Sequence, residues 1–360
     1  MIATVSSALD LDQIAATVGT FRLGPMSLSV PPGTTLAVLG PSGSGKSTLL
    51  RTIAGFQSAE GGAIRFGGED LRFREPAERR IGYVFQTYAL FPNLTTGGNI
   101  EFPMRMRNLD RSDIGRRVSE IADELGIAAD YLPRDVDQLP EGIKQLAAIG
   151  RERAHLFDLL ILDEPMSQMD SFIRKHMRVF LRELVRSFGK TTVVALTDPE
   201  DALSMGDSIA VTDRGELVEQ GPAGEVYAHP RHRVTMEMLS PLGLNALAVD
   251  VDVDTGRLQP YDLPVPPAGS PLPPGTPLDG AGPGTGQRHL CFRPEETRLV
   301  ADGGIVGRVT GSSFLDGRRE LLQLEVHGES VTVVAPIGTD GVWSRRDREV
   351  RFVPTNPALF

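Results

Sequence analysis

Residues 40–48 read GPSGSGKST, which fits the spacing G-x-x-x-x-G-K-[ST]. The compact run Gly40, Pro41, Ser42, Gly43, Ser44 and Gly45 permits a tight loop whose backbone N–H groups curl around a β-phosphate. Lys46 then reaches the β and γ oxygens, Ser47 completes the motif and offers a hydroxyl ligand to Mg²⁺, and Thr48 follows with a second hydroxyl. Further on, DLLILDEP (158–165) ends an apolar run in two carboxylates. Asp163 is suited to hold Mg²⁺ through water, and Glu164 to orient or deprotonate an attacking water. Together these residues point to a phosphate site capable of hydrolysis.

Such groups need strand ends and helix starts to hold them. TLAVLG (35–40), DLLILDEP and TTVVALTD (191–198) read as buried parallel strands, because strands covered on both faces show no alternation. Between the last two, Phe172, Ile173, Met177, Phe180, Leu181, Leu184, Val185 and Phe188 mark one helical face, and Gly189 a stop. This is a βαβ unit, and the alternation of strands and helices up to about residue 230 predicts an α/β domain. The first two strands lie more than a hundred residues apart, too far for one crossover connection. The insertion contains strand-like GGAIRFGGEDLRF and RRIGYVFQ, then a mostly helical subdomain over about 99–157.

The spacing places the first domain at 1–235 and a β-rich second domain at 236–360. Residues 258–286 are so rich in proline and glycine that an extended loop is expected there. Beyond it, HLCFRPEETRLV, GGIVGRVTGSSF, ELLQLEVHGESVTVVAP and REVRFVP predict short strands of a small β-barrel or sandwich.

Composition narrows the class. The 360 residues are 40% hydrophobic and 23% charged, an ordinary globular balance. One cysteine, Cys291, allows no internal disulfide, which fits a cytosolic setting. The N-terminal stretch lacks the basic and apolar regions of a signal peptide, and no run reaches the eighteen or so apolar residues that span a bilayer, so a membrane role is expected to come through partners. A net charge of −10 argues against general nucleic-acid binding. No histidines stand in metal-ligand spacing.

GPSGSGKST, Gln86 in YVFQ, LLILDEP, and SQMD at 167–170 resemble the P-loop, Q-loop, Walker B and D-loop of ABC-transporter ATPase subunits. FQTYALFPNLTTGGNI (85–100) is similar to the segment found in importers of the carbohydrate, polyamine and ferric-ion type. The likeness is close over about 20–230, and the β-rich tail resembles the subfamily's oligonucleotide-binding-like (OB-like) accessory domain. The resemblance implies a P-loop NTPase fold, ATP and Mg²⁺ as ligands, and Gln86 as the link between the metal and the membrane subunits. It also implies two transmembrane permease subunits, an extracytoplasmic solute-binding protein, and a peripheral place on the cytoplasmic face of the plasma membrane. Two ATPase subunits pack head to tail in that family, each ATP lying between one P-loop and the other subunit's signature helix.

Two departures stand out. The signature Leu-Ser-Gly-Gly-Gln falls on Leu139, Pro140, Glu141, Gly142 and Ile143. Pro140 has neither hydroxyl nor amide hydrogen, and Glu141 about 6 Å from a phosphate oxygen would be repelled by roughly 3 kcal/mol per unit charge at an effective dielectric near 20. Both nevertheless favour helix initiation, with Pro140 at the first helical position. The family's switch histidine aligns with Thr197 in ALTDPEDALSMGD, and threonine carries no positive charge toward a γ-phosphate. Thr197 would weaken the site on this chain's own P-loop, whereas Pro140 and Glu141 would weaken the site on the partner's. A second, non-identical ATPase subunit is therefore expected, so that each site keeps one good half.

The leading reading is the ATP-binding subunit of an importer, with weak activity on its own; the alternative is a nucleotide-responsive regulatory module with little ATPase activity. Glu164 and Gln86 favour the first and the damaged signature the second, while a small-molecule kinase would give Gln86 and SQMD no role. Carbohydrate-like solutes are slightly favoured by the C-terminal domain. Phe21 is the candidate to stack on adenine, against a core or surface role. The methionines of PMRMRN (103–108) either line a groove for a membrane subunit or pack ordinarily. Arg151 and Arg153 are expected in surface or subdomain ion pairs.

Overall fold

Six strands lie side by side in the order β10-β9-β3-β8-β7-β6 and carry the centre of the first unit. In chain order the elements are β1 (Leu9–Val18), β2 (Phe21–Val30), β3 (Thr35–Leu39), α1 (Lys46–Ala54), β4 (Gly61–Phe66), β5 (Glu69–Asp70), β6 (Ile81–Val84), α2 (Thr96–Met106), α3 (Arg111–Glu124), α4 (Glu141–His155), β7 (Leu159–Asp163), α5 (Ser171–Phe188), β8 (Thr191–Leu196), α6 (Pro199–Met205), β9 (Ser208–Asp213) and β10 (Glu216–Pro222). This computed structural model describes residues 7–252, 257–261, 263–264, 288–300, 302–316, 318–337 and 348–359. Strands β6, β7, β8, β3 and β9 run parallel, and β10 closes the edge antiparallel to β9.

Every residue of β3, β7 and β8 is buried, which is why these segments read as unbroken apolar runs. A parallel sheet delivers all its carboxyl ends to one edge, where ligands of open α/β folds bind. The loop 40–45 follows β3, Gln86 lies just past β6, Asp163 ends β7 with Glu164 next in the chain, and Thr197 follows β8. A second sheet, β2-β1-β4-β5, shares a core with the first through Leu9, Ile14, Leu23, Leu36, Leu49 and Ile161 among others.

The expected helical subdomain is α2, α3 and α4 with two short 3₁₀ turns between α3 and α4. Asn99, fully buried in α2, accepts from Phe91 N at 2.8 Å and donates to the carbonyls of Phe91 and Thr95 at 3.2 and 3.0 Å, which pins the loop ahead of the helix. Helix α4 starts one residue later than its sequence suggests. Pro140 is the N-cap, extended at ψ 150°, and its carbonyl accepts from Ile143 and Lys144. Helix α5 stops at Gly189 as expected, with φ 60°. Its apolar face is buried only from Leu181 onward; Phe172 and Ile173 are 74% and 40% exposed. Helical spacing reports a face and not what covers it. The methionines of 103–108 divide, with Met104 in the core and Met106 exposed.

The chain divides into Met1–Gly224 and Glu225–Phe360, ahead of the expected boundary at 235–236. The reason lies in α8 (Arg233–Met238), which follows the short α7 (Ala223–Ala228): Met236 packs with Cys291 and Ala358 and so belongs to the second unit. That unit contains two five-stranded antiparallel sheets around one core, which includes Leu247, Phe292, Leu322, Val333 and Phe352. Residues 319–326 alternate buried and exposed with period two, Leu322, Leu324 and Val326 facing inward. Of the expected loop 258–286, the described start pairs as short strands, Leu258 opposite Leu263; residues 265–286 lie outside the described residues.

Candidate functional site

Gly45 caps α1 with φ 104°, a left-handed conformation that suits glycine, and α1 begins at Lys46. At Gly40 a side chain is excluded by close approach: a Cβ would fall 2.4 Å from Thr212 O and 2.5 Å from Ser44 Oγ. Ser44 and Thr212 share a hydrogen bond of 3.1 Å, tying the loop to β9. Pro41, Ser42 and Gly43 form the exposed tip, while Ser44, Gly45 and Lys46 are buried, and Ser47 and Thr48 are half-buried in the first turn. The N-terminal amides of α1 therefore open beside the loop, a natural place for an anion.

Lys46, 4% exposed, donates to Gly40 O at 2.9 Å and Pro41 O at 3.1 Å, and lies 3.4 Å from Glu164. Burial pushes its ammonium pKa down, opposed by the negative charges of Glu164 and Asp163. Ser47 Oγ donates to Asp163 Oδ1 at 2.9 Å. Gln86 Nε2 donates to Glu164 Oε2 at 3.2 Å, so Glu164 is held between Lys46 and Gln86. The fold thus gathers Lys46, Ser47, Gln86, Asp163 and Glu164 from three separate segments of the chain. Among the described residues no three His, Cys, Asp or Glu side chains converge as a metal site. A hydroxyl and one carboxylate beside a phosphate cradle nevertheless suit Mg²⁺, which takes few protein ligands and fills its octahedron from phosphate and water.

Thr197 is exposed after β8. The segment behind it is firmly anchored. Asp198 caps α6 by accepting from Asp201 N at 3.0 Å, and the fully buried Asp201 faces Arg174 at 2.9 Å and Arg178 at 2.5 Å from α5. Burial raises the Asp201 pKa, the two guanidinium groups opposing it.

At α4, Glu141 pairs with Lys144 at 2.8 Å, one turn along. The helix start therefore presents an internally paired carboxylate. Thr87, Tyr88, Val136, Glu141, Lys144 and Gln168 line an open cleft around it. Phe21 is half-buried with its ring against the loop: a Cβ on Gly45 would meet Phe21 Cζ at 2.9 Å, and the ring also packs on the core.

Two contacts have no visible signal in the sequence. Tyr83, 3% exposed, donates from its hydroxyl to Asp163 Oδ2 at 2.9 Å, and burial beside that carboxylate raises its pKa well above the ordinary value. Arg151 is buried; it pairs with Glu152 at 3.3 Å within the subdomain, as expected, and also donates to Ala89 O at 2.6 Å, in the segment that follows Gln86. Arg153 does form a subdomain ion pair, with Glu124 at 3.1 Å.

Residues 23–167 match the family described as ABC transporter. The sulfate/thiosulfate import ATP-binding protein CysA 2 of Rhizobium meliloti is 33% identical over 94% of this chain and 89% of its own length. The spermidine/putrescine import ATP-binding protein PotA of Pseudomonas fluorescens is 35% identical over 78% of this chain and 75% of its length. The Fe(3+) ions import ATP-binding protein FbpC 2 of Rhizobium meliloti is 41% identical over 58% and 53%. Among solved structures, the ATP-binding cassette MJ0796, a dimer in a post-hydrolysis state bound to ADP and Pi, aligns with TM-score 0.54 at 25% identity, covering 60% of this chain and 98% of that one.

Proposed function

The chain belongs to the ABC-transporter family, as an ATP-binding subunit of an importer and hence an ATPase, and from that premise we infer that it works as one half of an asymmetric ATPase pair. The observation that carries this reading is the contrast between its two ends. The cradle brings Lys46, Ser47, Asp163 and Glu164 together, whereas the start of α4 offers Pro140 and an internally paired Glu141.

In this reading Lys46 and the amides of residues 42–48 bind the ATP phosphates, while Ser47 and Asp163 would hold Mg²⁺, whose contribution would be charge neutralisation at the phosphates. Glu164 positions the attacking water, and Gln86, which donates to that carboxylate, links the metal site to the membrane subunits. Thr197, in the switch position, supplies at most a neutral hydrogen bond, so turnover on this chain's own cradle is slow. The partner ATPase brings an intact signature and a histidine switch. Two transmembrane permeases and an extracytoplasmic solute-binding protein complete the complex, and the chain sits peripherally on the cytoplasmic face of the membrane. No helix among the described residues is long and apolar enough to cross a bilayer. The exposed Phe172 and Ile173, just past SQMD, give the partner an apolar surface to cover.

Purification of the native complex tests the pairing. The expected composition is one copy of this chain with one non-identical ATPase; two copies with full ATPase activity and no second ATPase would refute it. The alternative, a nucleotide-responsive module that scarcely turns ATP over, draws on the Glu141–Lys144 pair, and predicts that transported solute leaves ATPase activity of the reconstituted complex unchanged. The solute is open to sulfate-like anions, polyamines, ferric ions and sugars. The three relatives above are named for three different solutes at comparable identity, and none for a sugar. Similarity in this subunit therefore does not select the solute.

A further inference from the structure

Asp163 is 2% exposed, and both its oxygens are engaged by neutral hydroxyls. Ser47 Oγ donates to Oδ1 at 2.9 Å and Tyr83 donates to Oδ2 at 2.9 Å. A terminal carboxylate torsion is broad and roughly two-fold, so one bond alone leaves the plane of the group poorly fixed. Two donors on different oxygens remove that freedom.

We propose that Tyr83 is a positioning residue for the divalent cation: its hydroxyl fixes the Asp163 carboxylate in the orientation in which, beside Ser47, it would hold the metal. This rests on the reading that Mg²⁺ sits at the Ser47–Asp163 pair. The geometry supports an orienting role over simple filling of the core. The ring of Tyr83 is itself held by two others, Phe56 edge-on at 5.3 Å and 73°, and Phe85 at 4.4 Å. Its hydroxyl is therefore delivered to Asp163 from a clamped ring. Phe85 directly precedes Gln86, so the same clamp joins the start of the Q-loop to the metal carboxylate.

The position acts on Asp163 and not on the phosphate cradle, since Lys46 is held by Gly40, Pro41 and Glu164 without Tyr83. That separation gives the test. The full chain and its Tyr83→Phe variant are titrated with a fluorescent ATP analogue in EDTA, and then with Mg²⁺ at fixed analogue. The expected result is an analogue affinity in EDTA unchanged within about two-fold, with the Mg²⁺ concentration for half-maximal effect raised roughly ten-fold, as for other partners behind a metal ligand. Coincident Mg²⁺ curves for the two proteins, or an equal loss of affinity in EDTA, would overturn the proposal. A wild-type chain that binds the analogue with no response to Mg²⁺ would instead overturn the placement of the metal on which the proposal rests.

Discussion

Lys46→Ala is expected to lower nucleotide affinity by roughly a hundred-fold or more, since the ammonium is the buried cation of the cradle and each charge-assisted bond to a phosphate is worth about 1.5–3 kcal/mol. Its surroundings sharpen the effect. Two carbonyls, Gly40 O and Pro41 O, hold the amine in place, and Glu164 stands 3.4 Å away. Without the cation, Glu164 would face incoming phosphate with nothing between them. Isothermal titration calorimetry with ATP and Mg²⁺ measures the change, and a variant that binds within about two-fold of wild type would show that the ligand lies elsewhere. The cradle's structure should survive, because the loop is also tied to β9 through Ser44 and Thr212.

The second large effect is a gain. The paired substitutions Pro140→Ser and Glu141→Gly, in a Glu164→Gln background that prevents turnover, are expected to strengthen ATP-dependent self-association roughly ten-fold. A bare carboxylate about 6 Å from phosphate would be repelled by roughly 3 kcal/mol, but Lys144 lies 2.8 Å from Glu141 and both are partly exposed, so only about 1–2 kcal/mol is expected to be recovered. The serine also brings a hydroxyl and an amide hydrogen, adding two donors to the free N–H groups at the start of α4. Sedimentation velocity with and without ATP measures the dimer fraction. Equal self-association of the doubly substituted and parent chains would refute the idea that this helix start opposes pairing of two copies.

Much of this is readable from the chain alone. The loop 40–48 and the acids 163–164 announce themselves because phosphate chemistry demands fixed residue types at fixed spacing, and buried parallel strands leave continuous apolar runs. The division of labour at Asp163 is not readable. Tyr83 lies 80 residues from it in sequence, and only the adjacency of β6 and β7 in the sheet brings the hydroxyl across. The ion pair of Arg151 with Glu152 is of the expected kind, but its bond to the carbonyl of Ala89, 62 residues away, is not readable because a backbone carbonyl carries no signal in residue type. Phe172 and Ile173 mislead for the opposite reason: their spacing is helical, but they stand 74% and 40% exposed among the described residues. At Pro140 the residue type is informative and its position differs by one, since the structure uses the proline as the N-cap and not in the first turn.

Arg151 also bears on how force would travel. It sits on the same helix as Glu141, and its guanidinium grips the carbonyl of Ala89, three residues past Gln86. A push on that loop from outside would drag α4 along as a stiff rod, whatever its tip can or cannot grasp. In the proposed asymmetric pair the chain would thus keep the drive shaft while the tool at its end is blunted, and still move in step with its partner.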